Sequence, residues 1–168
     1  MEPTQDFRSL IDGLIAKSEA AAATAEREEQ RRAEAFHAQL VAFDKEADRV
    51  QAEFFKPRID YLAAQFPNTI TPEYAEGENY RHRIHLLFTH SNEFPCTGDV
   101  KVVIMHDPEP GHFSVSFDYV ILPTYVTDHY RDSRTEQFPM DGSADAALCR
   151  FIDDAIANFL THYLKARA

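Results

Sequence analysis

Apolar and polar positions along this chain keep two different rhythms, and the change from one to the other comes near residue 67. Ahead of it, Phe7, Leu10, Ile11, Leu14 and Ile15 recur at i, i+3, i+4, i+7 and i+8, the spacing of one helix face. The stretch from Ala20 to Glu34 is first alanine-rich and then charged all round. Beyond it Ala33, Phe36, Leu40, Phe43, Ala47, Val50 and Phe54 follow at steps of three and four, a heptad seam. Between Leu14 and Lys56 there is neither glycine nor proline, and the commonest residues are strong helix formers.

These features predict one long helix over residues 1–66, capped by Thr4 or Asp6 and kinked or restarted at Pro57, whose ring crowds the preceding turn. The uninterrupted part alone would run roughly 65 Å, longer than a ~100-residue domain is wide. Residues 1–66 are therefore expected to be a helical extension and a coiled-coil dimerisation region. Its contact residues would be Phe36, Leu40, Phe43, Ala47, Val50 and Phe54, and the product a homodimer. The competing expectation is an amphipathic helix lying on the chain's own sheet.

Residues 67–79 read as a linker-like loop, and then the alternation becomes strand-like. Tyr80–His90 carries Tyr80, His82, Ile84, Leu86 and Phe88 on one face. Asp99–His106 carries Val100, Val102 and Ile104, and His112–Leu122 carries Phe113, Val115, Phe117, Tyr119 and Ile121. A fourth, edge-like strand falls within Tyr125–Phe138. Short connections make neighbouring strands antiparallel. From a cap at Ser143, Leu148, Phe151, Ile152, Ala155, Ile156, Phe159, Leu160, Tyr163 and Leu164 form a broad apolar helical stripe opposite Arg150, Asp153, Asp154, Asn158 and Lys165. The predicted fold class is α+β: the long helix, then residues 67–168 as a β-β-β-β-α domain whose four-stranded antiparallel sheet is covered on one face by the C-terminal helix.

Composition narrows the function. The chain has 168 residues and a formal charge of −11, so its average field repels nucleic acid and acidic membrane surfaces. No apolar run approaches a bilayer span, and the N-terminus lacks a secretory pattern. Cys96 and Cys149 stand in dissimilar settings, a loop and a helix, which argues for free thiols and a reducing cytoplasm.

Candidate chemistry is thin. The five glycines are scattered and form no phosphate-binding loop. Eight histidines invite a metal, but His82 and His85, three apart on a strand, point to opposite sides. No HExxH or cysteine pair accompanies them, so neither a metal nor another cofactor is expected. Cys96, between Pro95 and Thr97, is weighed as a nucleophile but is more simply a loop cysteine. One surface stands out: with Ile84, Ile104 and Phe117 facing the core, Arg81, Arg83, His85, Lys101, Ser114 and Ser116 share the opposite sheet face, mixed with Val103 and Met105. That face is covered by the long helix's own Ile59, Leu62 and Phe66, or holds a protein or peptide, or binds a small anion. The sequence as a whole favours a non-enzymatic adaptor or chaperone-like protein that self-associates through its helix. The alternative is a small anionic ligand-binding or hydrolytic domain on the polar sheet face.

Overall fold

The computed structural model describes residues 3–66, 73–77, 81–89 and 96–167. Its elements, in chain order, are α1 (Gln5–Val50), a π-helical turn (Gln51–Phe55), α2 (Lys56–Gln65), β1 (Glu73–Gly77), β2 (Arg81–Phe88), β3 (Thr97–His106), β4 (His112–Leu122), a short 3-10 turn (Thr124–Val126), β5 (Arg131–Pro139) and α3 (Asp145–Arg167). The chain divides into two units, Met1–Gln39 and Leu40–Ala168, so the boundary falls inside the long helix rather than at Phe66.

In the first unit Thr4 provides the cap, its Oγ1 accepting from the Phe7 amide at 3.4 Å. Every side chain from Gln5 to Ala38 is exposed, and Gln39 is half-buried. Within it Gln30 reaches Glu34 one turn on, 3.2 Å away.

The second unit begins with the last turns of α1, where Leu40, Phe43, Ala47 and Val50 are buried. The break at Pro57 takes the form of a π turn. The Lys56 amide donates to Gln51 O, one residue further back than in an α-helix, and Pro57 sits in the first turn of α2, where its missing amide costs nothing. Across the break the Arg58 guanidinium donates to Phe54 O at 2.8 Å.

The sheet has five strands in the order β1-β2-β3-β4-β5, each pair antiparallel. The four strands read from the sequence are β2–β5, and the fifth, β1, occupies part of the expected linker. The start of the expected fourth strand is instead the 3-10 turn, entered after a cis peptide at Leu122–Pro123. Tyr80 and His90, the ends of the expected first strand, lie outside the described residues, and β3 starts at Thr97, ahead of the expected Asp99.

Alternation settles the core. Ile84, Leu86 and Phe88 of β2, Val100, Val102 and Ile104 of β3, and Phe113, Val115, Phe117, Tyr119 and Ile121 of β4 are all buried. So are Leu148, Ile152, Ala155, Phe159 and Tyr163 of α3, as expected, whereas Leu164 stays exposed. Phe88, Phe159 and Tyr163 meet with ring centroids 5.0–5.5 Å apart, each buried ring stabilising the fold by about 1.5–3 kcal/mol. Gly98 lets α3 come this close: a Cβ there would stand 2.6 Å from the Phe159 ring.

The helical seam belongs to this same core. Phe43, Ala47, Val50 and Phe54 join Ile59 and Leu62 against the sheet residues, so the seam predicted to meet a second copy is filled by the chain itself. Phe43 sits edge-on to His82 and His106, 5.6 Å from each. The physical reason is parity: His82 and His106 lie on the inner face, which the apolar side of this helix has to cover. Leu40 is buried too, and of the six expected contact residues Phe36 alone stays exposed.

Candidate functional site

Both α2 and α3 pack on one side of the sheet, since Ile59 and Leu62 share a core with Leu148 and Phe159. The other side is left to the outward residues of the strands. The expectation that Ile59, Leu62 and Phe66 would cover that face is therefore overturned; Phe66 instead packs beside Phe88 and Tyr163.

Five of the six residues singled out on this face, Arg81, Arg83, His85, Lys101 and Ser116, line a single hollow of about 430 Å³ with Val103 and Met105. Register brings them together: Arg81 pairs with Met105, Arg83 with Val103, His85 with Lys101, and Val103 with Ser116. Ser114 shares the face, opposite Met105, but its hydroxyl is committed elsewhere: it donates to Asp107 Oδ2 at 2.7 Å. That bond and the Glu109 amide hold the Asp107 carboxyl below its ordinary range, the amide being the larger cause.

Two acidic neighbours complete the site, and the sequence reading passed over both. His85 Nε2 meets Asp99 Oδ1 at 2.8 Å, which fixes the ring. Asp118 stands directly across from Lys101, yet its oxygens already accept from Ser116, at 2.8 Å, and from Ser133. Asp99 and Asp118 have the same strand parity as Lys101 and Ser116, so the alternation that found the cations also carried this signal. Arg81, Arg83 and Lys101 make no ion pair with any acid among the described residues. Arg81, Arg83 and Lys101 are also exposed, whereas Ser116 is buried.

The inner side carries polar clusters of another kind. Arg49 binds Glu46 at 2.6 Å and Asp145 at 2.9 Å, fastening the end of α1 to the start of α3. Arg58 does the same for α2, reaching Asp153 at 2.6 Å. Asn158 bridges Asp132 and the Tyr119 hydroxyl at 3.0 and 3.4 Å, and Arg134 closes on Asp132 at 2.9 Å. Each of these groups is consumed in holding elements together. His82, 2% exposed, is bonded to Asp44 at 3.0 Å and points away from His85. Among the described residues no group of three histidine, cysteine or acidic side chains could hold a metal ion.

Cys96 is fully buried and its thiol is pushed up by burial, the opposite of an activated nucleophile. Cys96 and Cys149 are both free. No helix among the described residues is long and apolar enough to cross a membrane. No protein-family model matches the chain, and neither a curated protein nor a solved structure matches it either.

Proposed function

We propose that this is a non-enzymatic interaction protein that receives an anionic partner on its open sheet face. The observation that carries the proposal is the trio Arg81, Arg83 and Lys101, which carries no ion pair among the described residues around a hollow on a face that no helix of the second unit covers. Cations in an acidic protein normally find carboxylates, as Arg49 and Arg58 do here. A cluster that does not is suited to an anion from outside. The mixed lining, with Val103 and Met105 beside the charges, fits an adaptor surface better than a reaction centre. His85 is tied to Asp99 and Ser116 donates to Asp118, so the histidine and the hydroxyl of the hollow are both engaged within the chain.

Thermal-shift measurements with inorganic phosphate, citrate and poly-glutamate test this. The protein with Arg81, Arg83 and Lys101 all replaced by Gln should lose the stabilisation that the native chain shows. Equal responses from the two proteins, or none from either, would overturn the reading.

Self-association enters through a different stretch from the one predicted. Phe7, Leu10, Ile11, Leu14 and Ile15 are 36–60% exposed on one helical face, and a second copy is the occupant that fits them. An antiparallel pair centred on Ile11 lays the stripe on itself and sets Asp6 beside Lys17 of the other copy at both ends. A dimeric adaptor of this kind, with free thiols, suits a reducing cytoplasm.

A further inference from the structure

The arrangement of the cations says more about the partner than its charge. Arg81 and Arg83 are alternate residues of β2, and Lys101 is the cross-strand partner of the next alternate residue, His85. The three therefore occupy three successive rows of the sheet face. Rows of a strand are about 6.7 Å apart, so the positive charges form a line about 13 Å long. Met105 and Val103, paired with Arg81 and Arg83, lie alongside it as an apolar floor. Asp99 and Asp118 bound the line at its far end and on the β4 side. We infer that the partner is an extended acidic peptide whose carboxylates recur at every second residue, laid along β2 and β3.

The inference rests on the anion-binding reading of the same face and specifies its occupant. An extended polypeptide presents alternate side chains on one side with the same 6.7 Å step, so three acidic side chains meet Arg81, Arg83 and Lys101 together. A single small anion would have to draw all three long side chains out of their rows to one point, whereas the peptide meets each in its own row. A single-stranded nucleic acid also carries evenly spaced charges, but it needs aromatic rings to stack on. The lining of this hollow has none apart from His85, which Asp99 holds. The chain's overall charge of −11 does not forbid an acidic partner, because screening confines that field to about 8 Å in physiological salt.

The test measures binding of three labelled probes by fluorescence anisotropy at one fixed ionic strength. They are an eight-residue peptide alternating Glu and Thr, a block peptide with the same residues as four Glu followed by four Thr, and an eight-nucleotide oligothymidine. Alternation should bind about twofold to threefold more tightly than the block, which sets only two Glu on one side and so loses one exposed charge pair. Lys101→Gln should erase that preference, because Arg81 and Arg83 in adjacent rows then meet two Glu of either peptide. Equal binding of the two peptides, or tighter binding of the oligothymidine, would overturn the peptide inference while leaving anion binding in place. No binding by any probe would overturn both.

Discussion

Asp145 begins α3 and shows how one side chain can serve two purposes. At the first turn its carboxylate meets the positive end of the helix dipole, and it also accepts two hydrogen bonds from Arg49 of α1. The guanidinium hydrogen bond is the larger reason that its carboxyl titrates below the ordinary aspartate range. Arg49 in turn is raised, first by Glu46 and then by Asp145. A depressed folded-state value stabilises the fold above the unfolded pKa, about 3.9, and the contribution is lost as pH falls through the folded value. Asp145→Asn should therefore lower stability at pH 7 by about 0.5–1 kcal/mol, a modest figure because the carboxylate is 41% exposed. In urea titrations the difference between the native and variant proteins should shrink as pH falls through the folded value. A difference that stays constant from neutral pH through the acid range would exclude this linkage.

Among the elements, the helix before the sheet departs most from the sequence reading. A heptad seam and the apolar side of a core helix have the same spacing, so periodicity alone cannot say which surface a seam meets. Strand parity answers the question here. His82 and His106 face inward, and Phe43 rests on both, at 5.6 Å. The two ends of the predicted seam then behave differently under mutation. Phe43→Ala empties a fully buried position and should cost about 3–5 kcal/mol. Phe36→Ala, at an exposed one, should stay within about 0.5 kcal/mol. Denaturant midpoints measured at two protein concentrations separate the causes. If Phe43 held a dimer together, the loss in Phe43→Ala would shrink on dilution, and that outcome would restore the intermolecular seam.

For the whole molecule, the question is which surfaces the packing uses up. Both terminal portions of the second unit, from α1–α2 and from α3, compete for one side of the sheet and share it, which leaves Arg81, Arg83 and Lys101 on the other. The first unit, Met1–Gln39, contains no buried residue among those described, so its removal should barely alter the unfolding of residues 40–168. Self-association should go with it. Light scattering should give a larger particle for the full chain than for residues 40–168, and the pair Leu10→Glu and Leu14→Glu in the full chain should reproduce the smaller one. A full chain that already scatters as a single copy would remove the role assigned to the Phe7–Ile15 stripe.

The residues alone determined the helices at each end, the inward set of β2, β3 and β4, and the company kept by Arg81, Arg83, His85, Lys101 and Ser116. Each of these follows from a local period, two for a strand and 3.6 for a helix, which a linear chain displays without knowing its neighbours. The fifth strand was not legible, because Glu73–Gly77 has no apolar alternation and becomes a strand only by borrowing the free edge of β2. The pairing of Asp99 with His85, the π turn ahead of Pro57 and the burial of Phe43 were likewise decided in three dimensions. Where an apolar stripe finds its cover, and which charges are left uncovered as a result, depends on competition among all the faces at once. A one-dimensional pattern states what each segment offers, and packing decides which offers are taken.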